Sequence, residues 1–452
     1  MDVAMRGNKS RASMRMNLST ELSRLSVKAK EQPDFVFKTL SHLVNEEMLT
    51  RSFGALKKSA AAGVDGVTAK SYGENLRENI ADLHRRLRAN QYRAQPLRRV
   101  YIDKEDGKQR PLSIPALEDK IVQRAVAEIL GRIYEMDFLD CSYGYRPKRG
   151  AHDAVNFVQE RSTLGKVNFI FEADIRDYFG SIVREQRMRI VKKRIGDKVI
   201  LRLIGKWLQA GVLDDGQLLT SNRGTTQGSI ISPILANIYL HEVLDSWVGK
   251  VVRSHFKGEM HLCRFADDFV IGFQYWRDAK RFEEVLSKRF AKYGLTLHPD
   301  KTKLIEFGRY ARERRKGQKP EAFQFLGFTF FCAMTRAGKF TVRLKTASRR
   351  LRRTLVQVGK WCKTNRHLPF RRQSELLRPM VLGHYEYYGR RSNIRSLGKF
   401  YRAVLRHWYK WLCRRGSGYL RWEKFLRLLS RYPLPQPRIT ERPKQQQFSF
   451  KL

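Results

Sequence analysis

The chain has 452 residues, 42% of them hydrophobic, with 90 Lys+Arg against 44 Asp+Glu and a formal net charge of +46. This composition excludes a disordered polyelectrolyte, allows roughly two to four domains, and makes a polyanion the expected partner. No apolar run of about 18 residues, lipidation motif, amphipathic anchor or signal-peptide core appears, so no membrane partner is expected and the cytoplasm is the expected location.

In chain order, the basic start "MDVAMRGNKSRAS" leads into the first informative segment, "KVNFIFEADIRDYFGSI". Val167, Phe169 and Phe171 alternate, and the pattern predicts a strand that delivers Asp174 at its C-terminal end. "VLDDGQ" sets Asp214 and Asp215 beside a Gly with no apolar run after them, and reads as a plain turn. In "TTQGSIISP", Gly228 permits a close backbone approach, Ser232 is expected to cap a helix and Pro233 to fit its first turn, which leaves Gln227 in the preceding loop.

"HLCRFADDFVIGF" places Asp267 and Asp268 between two apolar runs. Neighbouring residues of one straight strand face opposite ways, so the expectation is a hairpin with the two acids as its two-residue turn. Adjacent carboxylates in a dry setting raise each other's pKa unless a cation neutralises them, and a divalent metal is the usual cation.

The last 112 residues, from Thr341, hold 29 Lys+Arg against four Glu and no Asp, and four of the seven Trp. One helix is predicted through Leu344, Leu351, Leu355 and Val358, with Arg349, Arg350, Arg352 and Arg353 outward. Another runs through Leu397, Phe400, Tyr401, Val404, Leu405, Trp408 and Leu412 until Gly416, with Arg402, Arg406 and Lys410 on its basic face. These arginines and lysine are the candidate nucleic-acid contacts. The Pro-rich tail "RYPLPQPRITERPKQQQFSFKL" is expected to be extended or loose. Cys141, Cys263, Cys332, Cys362 and Cys413 show no C-x-x-C pair and are expected in the core rather than in disulfides or a zinc site.

A strand-end acid plus a hairpin pair, Asp174 with Asp267 and Asp268, suits two-metal phosphoryl transfer. Three carboxylates there clamp two Mg²⁺ ions about 3.5–4 Å apart, one activating the attacking hydroxyl and the other steadying the leaving oxygen; Mn²⁺ is a possible substitute.

The same residues carry a resemblance. "FEADIRDYFGSI", "RGTTQGSIISPILANIYLHEVLD", "RFADDFVIGF", "LTLHPDKTKLIEF" and "FQFLGFTF" resemble, in order and spacing, successive motifs of a reverse transcriptase. "GVDGVT", "YIDKEDGKQRPLSIPALEDKIVQ" and "SYGYRPKRGAHDAV" resemble those of group II intron-encoded proteins, and "LGHYEYYG" to "WEKFLRLLSRYPLPQPRI" their maturase region. The resemblance runs from about Gly63 to Ile439.

It implies an α+β right-hand polymerase, with fingers and an antiparallel palm sheet followed by an α-helical thumb or maturase domain. The expected divisions are an N-terminal extension (1–62), fingers and palm (63–335), thumb (336–435) and a basic tail (436–452). The implied partners are dNTPs, an RNA template with a DNA primer, structured intron RNA and target DNA. Lys104 and Arg110 flank "KEDGKQR" and suit triphosphate contact, though alone they would be a surface turn. The counterpart of Gln227 lies beside the incoming nucleotide and template. Phe179 matches a gate against the ribose 2′-OH, or is a core aromatic. Lys301 or Lys303 helps protonate pyrophosphate, or is simply solvated. The family's usual Tyr before Ala-Asp-Asp is Phe265 here, which removes a hydroxyl and no metal ligand. Two other readings remain at this point: a reverse transcriptase recruited to host defence or repair, and an RNA-binding splicing factor without polymerase activity. The sequence ends without the Cys- and His-bearing nuclease module of some relatives, which puts second-strand DNA cleavage in doubt.

Overall fold

The computed structural model describes residues 18–103, 109–214, 217–219, 228–415 and 420–441, except for the side chains of Asp103, Arg110, Phe179 and Arg312. Lys104, Asp215, Gln227, Gly416 and the tail beyond Glu441 lie outside the described residues. The fold is α+β, as the sequence predicts. The strands are β1 (Leu97–Asp103), β2 (Gln109–Ile114), β3 (Phe169–Asp174), β4 (Val212–Asp214), β5 (Gln217–Leu219), β6 (Met260–Phe265), β7 (Asp268–Phe273), β8 (Lys303–Glu306), β9 (Ala322–Phe325), β10 (Phe328–Met334) and β11 (Phe340–Thr346). They form sheets ordered β2-β1-β4-β5, β6-β7-β3-β8 and β11-β10-β9.

By its internal packing the chain divides into two compact units, Met1–Ala154 with Phe171–Lys303, and Val155–Ile170 with Leu304–Leu452. In the first, the Leu117–Tyr134 helix lies at the centre of the core: Ile121, Val122, Ala125, Val126, Ile129, Leu130 and Ile133 are completely buried, and Asp119, Lys120 and Gln123 are buried with them. The N-terminal segment is tied to this unit through backbone groups. Asp197 Oδ2 accepts from the amides of Leu40 and Ser41 at 2.7 and 2.8 Å, and buried Arg194 donates to the carbonyls of Ala29, Gln32 and Phe35.

In the second unit, β9, β10 and β11 form an antiparallel meander. Its first turn, Leu326-Gly327, has both residues at positive φ, the backbone of a type I′ hairpin. Among the described residues four α-helices follow: Ser348–Thr364, Phe370–Tyr388, Ile394–Leu412 and Trp422–Arg431. The expected helix through Leu344 therefore starts later. Leu344 belongs to β11, where burial alternates along Val342, Leu344 and Thr346, and an apolar residue at strand spacing mimicked the next helical turn. The helices close over Phe400, Val404, Trp408 and Tyr385, and Trp408 donates to Gln373 Oε1 at 2.8 Å while stacking on Phe370. The Ile394–Leu412 helix ends one turn before Gly416.

The tail as far as Glu441 has no regular secondary structure beyond Arg431, and it is anchored rather than loose. Leu434 is buried, Tyr385 donates to the Pro435 carbonyl, and Thr440 donates through its amide to Gly389 and through its hydroxyl to Tyr385. Cys263 and Cys362 are buried, Cys141, Cys332 and Cys413 are partly exposed, and all five are free.

Candidate active site

Asp174 ends β3, and the chain leaves the strand under the control of the segment Leu297–Thr302. Ile175 bridges to Leu297, the His298 amide donates to the Asp174 carbonyl at 2.8 Å, and Lys301 Nζ donates to Asp174 Oδ2 at 2.6 Å. Lys301, read from the sequence as a possible phosphate-side lysine, thus holds the strand-end carboxylate.

The hairpin differs from its expected form by one residue. Phe265 pairs with Asp268, so the two-residue turn is Ala266-Asp267 and Asp268 is the first residue of β7. The reason lies in the backbone: Ala266 carries φ 58° while Asp267 does not have positive φ. A two-residue hairpin needs such a φ at its first central position, where Gly is the usual occupant. Both acids are partly buried.

β7 and β3 are neighbours in the sheet. Tyr178, four residues beyond Asp174, lies within electrostatic reach of the turn. Burial pushes its phenol above the usual range, and Asp267 acts in the same direction while Arg187 and Arg264 oppose it. The end of β3 and the tip of the hairpin therefore share one region of the molecule.

Behind the turn sits a residue that the sequence reading passed over. Arg264 is completely buried in β6. Its Nε donates to Asp245 Oδ1 at 2.7 Å and one Nη to Asp245 Oδ2 and to Ser142 Oγ; the other Nη donates to Asn237 Oδ1 at 3.0 Å and to the Ala266 carbonyl at 2.8 Å. Burial alone would depress this guanidinium, but Asp245 more than reverses that and holds it charged. A lone Arg inside an apolar strand was the available signal, because a buried charge requires a partner.

Gly144 of the "SYGYRP" segment backs the same turn. A Cβ there would sit 2.4 Å from the Ala266 nitrogen, and Asn237 Nδ2 donates to the Gly144 carbonyl at 2.7 Å. The loop before the Ser232–Leu240 helix is placed the same way. Gly228 has φ +120° and an added Cβ would meet the Ser113 carbonyl at 2.5 Å, the close approach expected from the sequence. Ser229 Oγ and the Ile230 amide donate to Gln123. Ser232 opens the helix rather than capping it, and Ile231 is the cap residue.

A family profile described as reverse transcriptase (RNA-dependent DNA polymerase) matches residues 102–330, half of the chain, and that span contains β3, the Gly228 loop and the Ala266-Asp267 hairpin. The chain belongs to the reverse transcriptase family. Protein YkfC of Escherichia coli K12 is 32% identical over 362 residues, 72% of this chain and 92% of YkfC. The group II intron-encoded protein LtrA of Lactococcus lactis subsp. cremoris is 37% identical over 232 residues, 50% of this chain but only 38% of LtrA. A putative COX1/OXI3 intron 1 protein of Saccharomyces cerevisiae is 30% identical over 222 residues, 49% of this chain and 26% of that protein. These relatives and the motifs together place this reverse transcriptase in the group II intron-encoded lineage.

Reverse transcriptase domains use divalent metal ions, and the three aspartates offer the hard oxygen donors that such ions take. Among the described residues no three His, Cys, Asp or Glu side chains converge as a ready-made cage. A cation does stand at one of them, since the Lys301 ammonium neutralises Asp174. The donor chemistry therefore fits, with Lys301 as the group that must yield. Of the other expected contacts, the backbone of Arg110 lies in β2, and the backbone of Phe179 in a short helical turn, Tyr178–Ser181. Arg349, Arg350, Arg352 and Arg353, and separately Arg402, Arg406 and Lys410, are exposed on their helices. Among the described residues no helix is long and apolar enough to cross a membrane.

Proposed function

We propose that this reverse transcriptase copies intron RNA into DNA and binds the same RNA to assist its splicing and mobility. Asp174, Asp267 and Asp268 would hold two Mg²⁺ ions, replaceable by Mn²⁺, which would supply the charge needed to activate the primer hydroxyl and steady the leaving pyrophosphate. Lys104, Arg110, Gln227 and Lys301 contact the incoming dNTP, and Phe179 faces its 2′ position. Residues 63–335 act as fingers and palm, and 336–435 as a thumb whose Arg349, Arg350, Arg352, Arg353, Arg402, Arg406 and Lys410 track RNA phosphates. Template RNA, a DNA primer and target DNA complete the set of partners, and the work is done in the cytoplasm or on the nucleoid.

The observation that carries this reading is the placement of three aspartates by two neighbouring strands, with a lysine already compensating one of them. Converting Asp267 and Asp268 together to Asn tests it. Metal-dependent primer extension is expected to fall by at least about 10²–10³-fold, with RNA affinity retained. Extension at the parental rate in that variant removes the assignment.

A further inference from the structure

The hairpin that carries Asp267 and Asp268 does not hold its shape by its two strands alone. Ala266 takes a positive φ without being Gly, a conformation that persists only when its surroundings enforce it. Gly144 packs against the Ala266 backbone, and one guanidinium bonds its carbonyl. A guanidinium has five N–H donors, and every one on Arg264 is taken: two by the Asp245 carboxylate and one each by Ser142, Asn237 and the carbonyl of Ala266 itself. We infer that Arg264, seated by Asp245 and Asn237, is the positioning residue that aims the metal-binding hairpin, acting through the Ala266 carbonyl rather than on substrate. This inference rests on the reading of Asp267 and Asp268 as metal ligands.

A break in helical geometry supports it. Asn237 lies in the α-helix Ser232–Leu240, but His241–Asp245 continues as a π-helix. At about 100° per residue an unbroken α-helix would leave Asp245 about 80° around the axis from Asn237. The wider π turn advances less per residue and brings Asp245 back to the face that Asn237 occupies, so both reach one guanidinium. Such π segments cluster at functional sites because they re-aim side chains at a cost in regularity. Asn237 also bonds Gly144, whose missing Cβ admits the turn. Three separated segments, Ser142–Gly144, Asn237–Asp245 and the hairpin, thus meet at Arg264.

A purely structural ion pair and a positioning device respond differently to paired replacement. Exchanging both members of a buried pair for apolar residues often leaves stability intact, whereas the tether to Ala266 is lost in any case. The test compares the full-length parent with Arg264→Met/Asp245→Leu and with Arg264→Lys, whose single ammonium cannot serve four partners. The measurements are thermal unfolding, RNA affinity, primer extension across a Mg²⁺ and Mn²⁺ titration, and hydrogen exchange of amides 265–269. Folded, RNA-binding variants with extension reduced about 100-fold, as a misplacement near 1 Å would produce, a metal requirement moved to higher concentration and faster exchange in the hairpin support the inference. A folded variant that extends at the parental rate with the parental metal profile overturns it, and if the paired variant fails to fold, Arg264→Lys decides by the same comparison. Should the Asp267/Asp268 double Asn variant be inactive while Arg264→Lys is fully active, the active-site reading survives and the positioning inference falls.

Discussion

At the scale of single residues, the candidate site sets three aspartates beside two cations, Lys301 on Asp174 and Arg264 behind the hairpin turn. Asp174, Asp267 and Asp268 stand out because carboxylates interrupt apolar runs; Lys301 does not reveal from its neighbours that it reaches Asp174. With Phe179 facing the ribose, Phe179→Val is expected to increase ribonucleotide over deoxyribonucleotide incorporation by roughly 10-fold or more, and an unchanged ratio at full activity returns it to the core. His384 offers a test of burial. It is packed against Phe400 with ring centroids 3.8 Å apart, and burial lowers its pKa to about 4. The unfolded chain, at about 6.5, then binds a proton that the folded one does not, so this group's stabilisation is complete above about pH 6.5 and is lost as pH falls from there toward 4. Asp119 works in the opposite direction, its carboxyl pushed up to about 6 by burial, so only a comparison isolates the histidine. His384→Phe is expected to lose less stability than the parent between pH 7.5 and 5, by roughly 1–2 kcal/mol in chemical denaturation; equal losses would mean that His384 is solvated.

At the scale of elements, alternation identified β3, the apolar runs on either side of the acids identified β6 and β7, and helical spacing identified the Ile394–Leu412 helix with its one buried face. Periodicity alone is a weaker guide. It failed where two elements abut. Leu344 satisfies both the alternation of β11 and the spacing of the helix that follows, and only the pairing of β10 with β11 decides between them. The hairpin turn slipped by one residue for a related reason. Composition favours Asp-Asp as the turn, yet the packing of Gly144 against Ala266 and the bond from Arg264 select Ala266-Asp267. Gly144→Ala is therefore expected to displace the turn and reduce primer extension by at least about 10-fold while RNA affinity holds, since a Cβ would enter backbone that cannot rotate away. Parental extension rates in that variant would show that the turn tolerates the shift.

At the scale of the whole molecule, charge is the property on which the proposed RNA contacts depend. If Arg402, Arg406 and Lys410 bind phosphates, converting all three to Ala weakens binding and makes the slope of log affinity against log salt shallower by up to about 3, one per lost contact. Leu405 and Trp408 lie on the packed side of the helix and are untouched, so the fold is spared. An unchanged salt slope would leave this face merely solvated. Through its motifs in order the sequence by itself implied the α+β class, and it pointed to a polyanion partner and to three candidate aspartates, because composition and interrupted apolar runs are local properties. Only the tertiary structure decided what surrounds them: Lys301 on Asp174, 127 residues away along the chain, and Ser142, Asn237 and Asp245 on Arg264. A buried charge announces that it needs partners, but nothing in the linear chain says which distant residues supply them, because hydrogen bonding between segments depends on how they pack and not on how they are spaced.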